Sequence, residues 1–586
     1  MGIQREDGLL PLLLGMLWDE WLPFLELSQS TNKILKFRRL SIFLAAIMRK
    51  RRHPRKPKGL EMQDINFFPQ KLLAEFTIED INRLKELGCS GLALDTRSLE
   101  KGDFFIGVDG QETTGALFLE EALLKGACGA LISQRGYEEI RSQNRILKSL
   151  PLWISNENPS LFAGEMAALF YTKIPKRLMA VTGTNGKTST TFFAHQIMFK
   201  LGFPSACLGT TGLWIMGPEG TIPVTERSKL TSPDAVTLHK ILEKLYLRGI
   251  ESVALEASSH GLHQNRLKGL NFKAAAFTNF SQDHLDYHRT MEDYFEAKCL
   301  LFEEILETEG WAVLNADIQE IGILTKIAER RCHRLFTYGI KGADVRLLKY
   351  EPKLDRLEIT VNLWGIVKTL TLPLIGDYQV HNALCALGLV LGALDASPSD
   401  TVILERALEA LEHLQAPPGR LEKVGETKTK ARVYVDYAHT PDAYERVLKT
   451  LRPFTKGNLW ILFGCGGDRD AQKRPLMGKI AHTHADFVVI TDDNPRSESL
   501  GEIRSQILAF LSKEKKKCLE NRGVPENIFV IEDREKAIKW TLQQLKEGDV
   551  LLLAGKGHET GQIIGNITYP FNDKNVTLTL LKELEA

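Results

Sequence analysis

Short apolar runs recur along most of the chain, and amphipathic stretches of helical length lie between them. The alternation is cleanest in the last third. There RVYVDYA, NLWILFG, DFVVITDD, NIFVIED and DVLLLAGKG read as strands, and stretches such as GEIRSQILAFLSKEKKK read as the helices between them. Near-continuous apolar strands joined by helices imply a parallel sheet covered on both faces. Upstream, KIPKRL leads into MAVTGTNGKTSTTFFAHQIMFKLG, which predicts a strand, a glycine turn and a long helix. Further strands are predicted at SVALEA, AAAFTNF and WAVLNA. Before Ile174, FFIGV and GALIS alternate with helical stretches such as LEEALLKGA. QAPPGR, with paired prolines and a glycine, marks a linker.

The first 61 residues do not share this pattern. LLPLLLGMLW and SIFLAAIM are apolar but too short to span a bilayer, and MRKRRHPRKPK is strongly basic. Early acids (Glu6, Asp7, Asp19, Glu20) fit a transit peptide poorly. The segment is expected to be a weakly ordered extension, with Met62 as the natural start of the folded chain. It holds 12 Lys+Arg and 6 Asp+Glu, so the chain's net charge of +1 becomes −5 without it. No nucleic-acid partner and no stable membrane insertion are implied. At 43% hydrophobic and 25% charged, the 586 residues suit a globular chain of several domains. The eight cysteines are scattered with no CxxC pair, which argues against zinc or a disulfide framework and for a reducing, cytoplasmic setting. A monomer is expected.

VTGTNGKTST places Gly183, Thr184, Asn185, Gly186, Lys187, Thr188 and Ser189 between a strand and a helix. Glycines there turn backbone amides toward phosphate oxygens, and the helix N-terminus adds partial positive charge. Lys187 can reach the β- and γ-phosphates of ATP, and Thr188 can ligate Mg²⁺. The full pattern wants glycine where this chain has Val181. In ALEASSHGLHQNR, Glu256 ends a strand and offers the hard oxygen that Mg²⁺ prefers. His260 follows it, His284 lies after the next strand, and Lys298 reads by itself as a solvated helical lysine. The predicted fold is α/β in three domains. They are a small N-terminal α/β domain (62–174), a central P-loop ATPase-like domain (175–414) and a C-terminal Rossmann-like, mainly parallel sheet (415–586).

Taken together, GTNGKT, EASSH, TNFSQDHLDYH, the helix carrying Lys298, GDYQVHN, GRLE, DYAHTPDA and GKGHE resemble the Mur ligase family from about Leu92 to the C-terminus. Members are ATP-dependent amide-forming enzymes of peptidoglycan precursor synthesis. The resemblance implies that Lys298 is carbamylated and helps hold Mg²⁺ with Thr188, Glu256 and His284. It makes Lys187, Glu256, Lys298 and His260 the catalytic candidates. ATP contacts are implied for the GTNGKTS loop, Asn382, Arg420 and Asp436. Contacts to a UDP-muramoyl-dipeptide are implied for Leu94, Thr96, Gln111, Glu112, Thr113, Thr231, Ser232, Ser258, Gln264 and Arg266. GDYQVHN departs from the family's usual aromatic–Asn pair at Tyr378 and Gln379, so only Asn382 is carried over.

In a parallel sheet, ligands bind off the carboxyl ends of the strands. DYAHTP, GCGGDRD, TDDNPR and GKGHE should therefore share one rim, bringing together Arg469, Asp493, Asn494, Pro495, Arg496, Gly555 and Glu559. Two arginines suit carboxylates and two acids suit an ammonium. The DNPR form resembles members that accept meso-diaminopimelate, whose distal centre carries both charges. The resemblance thus implies a ligase adding meso-diaminopimelate to the D-glutamate side chain of UDP-N-acetylmuramoyl-L-alanyl-D-glutamate through an acyl phosphate. The same turn reads equally as a helix start, with Ser499 and Glu502 spaced as a capping box. A lysine-adding relative, a folylpolyglutamate-type ligase and a non-catalytic scaffold stay open as other readings.

Overall fold

The computed structural model describes residues 84–85, 88–110, 113–143, 152–217, 220–224, 231–353, 356–511 and 525–585. The extension over residues 1–61 and the candidates Gln111 and Glu112 lie outside them. Three parallel-rich sheets follow one another along the chain. The first is β1 (Gly91–Ala93), β2 (Asp103–Gly107), β3 (Gly129–Ser133) and β4 (Leu152–Ser155), all parallel in that order.

Among the described residues the second sheet has eleven strands. Its parallel centre is β5 (Arg177–Thr182), β6 (Ser205–Gly209), β9 (Ser252–Glu256), β10 (Phe272–Phe277), β11 (Leu306–Asn315) and β12 (Arg334–Gly339). β7 (Gly212–Gly217) and β8 (Gly220–Val224) extend one edge in antiparallel fashion. At the other edge, β13 (Val345–Pro352) joins β12 in parallel. β14 (Leu357–Leu363) and β15 (Ile366–Leu372) then continue antiparallel. These added strands are absent from the sequence reading, although LEITVNL alternates strictly between buried and half-buried positions. Every residue of β5 after Arg177 is buried, as a strand in the middle of a covered sheet requires. Helices α1 (Lys187–Lys200) and α2 (Asp377–Ala393) share one core cluster with it.

β5 lies between β9 and β10, and the chain leaves it in opposite directions on the two sides. That is a topological switch point, where the carboxyl ends of the strands open a crevice. The third sheet runs β16 (Glu422–Glu426), β17 (Arg432–Asp436), β21 (Val550–Ala554), β18 (Leu459–Phe463), β19 (Phe487–Ile490) and β20 (Ile528–Val530). All but β16 are parallel. A hairpin of β22 (Gly561–Ile564) and β23 (Ile567–Pro570) stands beyond β21.

Candidate active site

The loop after β5 is held by the loop after β10. Asn279 Oδ1 accepts from Asn185 N at 2.9 Å, and Thr278 Oγ1 donates to Asn185 O at 2.6 Å. Gly183 and Gly186 both have positive φ, and a Cβ on them would meet Thr278 Oγ1 at 2.0 Å and Asn382 Oδ1 at 2.3 Å. Only glycine fits either place. Val181 needs no such freedom, because it is a strand residue whose carbonyl accepts from Ala257 N at 2.8 Å. Lys187 Nζ donates to the loop's own carbonyls, Gly183 O at 2.9 Å and Thr184 O at 2.8 Å. Burial holds its pKa below the usual lysine range, against the pull of Glu256 and Asp283.

Lys298 comes from helix Met291–Leu300 and is only 1% exposed, so the solvated-lysine reading fails. Its Nζ donates to Gly183 O at 2.9 Å and stands 4.3 Å from the Tyr294 ring centre. Burial, and then the charge of Lys187, drive its pKa well down. Two amines thus share one carbonyl at the mouth of the phosphate loop. Glu256, 3% exposed, accepts from Thr210 N at 2.9 Å and Thr210 Oγ1 at 3.0 Å. His284 has φ +54° and lies 3.5 Å from Asp283. His260 lies tilted beside Tyr287, ring centres 4.1 Å apart, and edge-on to His284. Among the described residues, no three His, Cys, Asp or Glu side chains cluster closely enough to hold a metal. The hard oxygens of Thr188 and Glu256 on one cavity wall do fit Mg²⁺, which keeps most of its ligands as phosphate and water.

A cavity of about 560 Å³ lies between the central and C-terminal sheets. Thr184–Ser189, Thr231, Glu256, Ser258, His284, Lys298 and Asn382 line one side, and Arg420, Asp436, Tyr437 and His439 the other. The volume suits a nucleotide-sized ligand. Arg420 donates to Thr188 Oγ1 at 3.2 Å and lies 4.6 Å over the Tyr437 ring. Asp436 accepts from Leu421 N and Ala438 N, both at 2.6 Å, and so fixes the turn that carries Arg420. Burial raises its carboxyl pKa despite Arg420. His381, passed over in the sequence, lines the same cavity and bonds Asp317 at 3.2 Å.

Five candidates for the muramoyl-dipeptide form one hydrogen-bonded chain beside Glu256. Ser232 Oγ donates to Glu256 O at 2.8 Å and meets Ser258 Oγ at 3.2 Å; Thr231 Oγ1 accepts from Thr210 at 3.3 Å. Arg266 donates to Ser232 O at 2.8 Å and also binds Gln264. Leu94, Thr96 and Thr113 sit apart, at and beyond the carboxyl ends of β1 and β2.

The four C-terminal motifs follow β17, β21, β18 and β19, which are consecutive in the sheet, so they share one rim. Asn494 Nδ2 donates to Glu559 Oε2 at 2.9 Å. Gly555 lies against Asp493, its ideal Cβ 2.8 Å from Asp493 Oδ2. Arg496 Nη1 donates to Gly467 O at 2.7 Å, Pro495 packs on Gly467, and Arg469 reaches Asp468 O at 3.1 Å. Arg496 has φ +53°, an uncommon conformation for a side chain of its size. The capping box does not form. Ser499 is the N-cap of helix Leu500–Ile507, but its side chain makes no cap bond, and Ile503 N bonds the Ser499 carbonyl at 3.1 Å. The neighbouring Glu498 is drawn instead to buried Arg474 at 2.7 Å, which turns the loop toward GCGGDRD. Lys556, between the two GKGHE glycines, also escaped the sequence reading. It is 0% exposed and donates to Asn494 Oδ1 (3.1 Å), Glu559 Oε2 (2.9 Å) and Gly561 O (2.8 Å).

Residues 181–390 match the Mur ligase middle domain, and residues 419–557 match the Mur ligase, glutamate ligase domain. The chain is 40% identical over 529 residues to the UDP-N-acetylmuramoyl-L-alanyl-D-glutamate–2,6-diaminopimelate ligase of Agrobacterium fabrum, covering 90% of this chain and 99% of that one. It is 41% identical over 483 residues to the enzyme of the same name from Rhizobium meliloti, with 82% and 92% covered. A solved structure of a UDP-N-acetylmuramoyl-L-alanyl-D-glutamate–2,6-diaminopimelate ligase aligns with TM-score 0.57 at 29% identity, covering 85% of this chain and 95% of that one.

Proposed function

The chain belongs to the Mur ligase family, and we propose that it joins meso-diaminopimelate to the D-glutamate side chain of UDP-N-acetylmuramoyl-L-alanyl-D-glutamate at the expense of ATP. The observation that carries this reading is the junction of two sites. The cavity holding Lys187, Glu256 and Lys298 is closed by Arg420 and Tyr437, and Tyr437 in turn packs on His558 of the rim that holds Asn494, Arg496 and Glu559.

A carboxylate resists attack by an amine until it carries a leaving group. ATP passes its γ-phosphoryl to the D-glutamyl carboxylate, giving an acyl phosphate and ADP. The amine of diaminopimelate then attacks the acyl carbon, and the tetrahedral intermediate expels phosphate. Two anions meet in the first step, so positive charge must be in place beforehand. Lys187 supplies it by exchanging the carbonyls of Gly183 and Thr184 for phosphate oxygens. Arg420 supplies it from the opposite wall. Mg²⁺, held by Thr188 and Glu256 with His284 and carbamylated Lys298, would neutralise developing charge on the phosphoryl oxygens. Burial favours the neutral form of the Lys298 amine, the form that adds CO₂, and this supports the carbamate there. Thr231, Ser232, Ser258, Gln264 and Arg266 orient the dipeptide, and Leu94, Thr96 and the Gln111–Thr113 stretch take its uridine end. On the far rim, Arg496 and Arg469 take the distal carboxylate of diaminopimelate, while Asp493 and Glu559 face its ammonium. The enzyme works as a cytoplasmic monomer.

The test is phosphate release with ATP, Mg²⁺ and the UDP-muramoyl-dipeptide, with each amine offered separately. Turnover with meso-diaminopimelate and not with lysine is expected. Dependence on lysine alone overturns the substrate, and no turnover with either amine overturns the enzyme.

A further inference from the structure

We propose that Lys556 is a positioning residue of the third-substrate site. Its sealed ammonium sets the orientation of Asn494 and Glu559 and ties both to the hairpin that holds Arg496. The inference rests on the reading of that rim as the diaminopimelate site.

An ammonium has three hydrogens, and Lys556 spends all of them inside the protein, on Asn494 Oδ1, Glu559 Oε2 and Gly561 O. Asp493 Oδ1 stands further off, at 3.8 Å. With no exposed surface and no hydrogen to spare, Lys556 is not itself a contact for substrate. Its effect is on its neighbours. Asn494 Oδ1 accepts from both Lys556 Nζ and Ile563 N, the latter at 2.9 Å. A flipped amide would turn donors toward donors, so the Nδ2 group must face Glu559, where it donates at 2.9 Å. Glu559 Oε2 is then engaged twice, by Lys556 and Asn494, while the side chain remains 30% exposed. One carboxylate oxygen is anchored inward, and the other is left to receive an ammonium from the rim.

The same lysine begins a clamp. Its third acceptor, Gly561 O, opens β22. From there Gln562 Nε2 donates to Asp493 O at 2.7 Å, Arg496 N to Ile563 O at 3.1 Å, and Gly565 N to Arg496 O at 2.8 Å. The hairpin thus grips residues 493–496 bond by bond, and it holds Arg496 in its left-handed conformation. A left-handed residue with a Cβ persists only where its surroundings over-determine it. Lys556 therefore links the group that meets the ammonium to the group that meets the carboxylate, and the two charges of one substrate centre are read at a fixed spacing.

The test is steady-state phosphate release by the full chain, with meso-diaminopimelate varied and then ATP varied. The wild type must first turn over meso-diaminopimelate; its failure would refute the site reading rather than this inference. Lys556→Met is expected to raise KM for meso-diaminopimelate on the order of 100-fold, the scale of losing charge-assisted hydrogen bonds in a buried site, with KM for ATP changed less than about threefold. An unchanged KM for the amino acid, or equal rises for both substrates, overturns the proposal. The double variant K556M/E559Q should be clearly milder than the product of the two single effects, because part of the Lys556 effect passes through the Glu559 carboxylate. Fully multiplicative effects would overturn the anchoring of Glu559 by Lys556. Should Lys556→Met fail to fold, Gln562→Ala cuts the clamp from the half-exposed hairpin. It should raise the same KM roughly three- to tenfold and leave that for ATP alone; no rise overturns the clamp.

Discussion

Arg496→Ala isolates one interaction unusually well. The residue sits at φ +53°, but alanine carries the same Cβ, so the backbone strain is unaltered. The bonds that grip this position, Arg496 N to Ile563 O and Gly565 N to Arg496 O, are main-chain bonds and survive. Among the described residues the guanidinium gives up only its bond to Gly467 O, at 2.7 Å on a half-buried loop, worth about 1 kcal/mol. Toward substrate it would give up a bidentate pair with the distal carboxylate. At roughly 1.5–3 kcal/mol per charged hydrogen bond, and allowing for water replacing part of it, the loss is about 3 kcal/mol. Since 1.4 kcal/mol is a factor of ten, kcat/KM for meso-diaminopimelate should fall by about two orders of magnitude. KM for ATP should stay within about threefold, because Arg496 does not line the nucleotide cavity. The assay is phosphate release at saturating ATP and UDP-muramoyl-dipeptide. Equal loss for ATP and diaminopimelate, or no loss for either, would refute the assignment.

Lys298→Ala should lower turnover by more than about 100-fold, without response to bicarbonate, whereas CO₂-depleted wild type should regain activity when bicarbonate is added. Labelling with ¹³C-bicarbonate checks the carbamate directly, and full activity without a carbamate signal would remove it from the mechanism. His195, a residue of α1 buried against Ser205, is pushed down to about 4 by loss of solvation. Between that value and the unfolded one near 6.5, the folded state binds fewer protons. Its contribution is therefore present above about pH 6.5 and is lost as pH falls to 4, by about 3 kcal/mol in all. His195→Phe should flatten that part of the stability–pH curve relative to wild type, read by urea unfolding at each pH. Arg534 and Asp573 form a fully buried double hydrogen bond, 2.8 Å at each contact, and Arg534 also caps the end of β21 at Ala554 O. Arg534→Met should destabilise the C-terminal sheet by roughly 3–5 kcal/mol in thermal or urea unfolding. R534M/D573L should cost clearly less, because no charge is left buried alone.

Much of this molecule is legible in one dimension. The strand–turn–helix around GTNGKT, the parallel sheet after QAPPGR and the four motifs on its rim follow from periodicity and from the rule that places ligands at strand ends. The ordered motifs also carry the family. The edge strands β7–β8 and β13–β15 are not legible there, because they add to the sheet outside the strand–helix alternation that marks its parallel centre. The capping box at Ser499 was expected from a spacing that Glu498 overrode by pairing with Arg474.

What the chain could not disclose is which charged side chains are buried. Lys298 looked like any helical lysine, and its partner carbonyl at Gly183 is 115 residues away. Lys556 looked like a spacer between two glycines, and the side-chain oxygen it anchors at Asn494 is 62 residues away. Residue type and spacing fix local conformation and the chemistry on offer. Desolvation and the pairing of charges depend on what packs from elsewhere, so only the assembled sheets decided that these two amines sit in the interior.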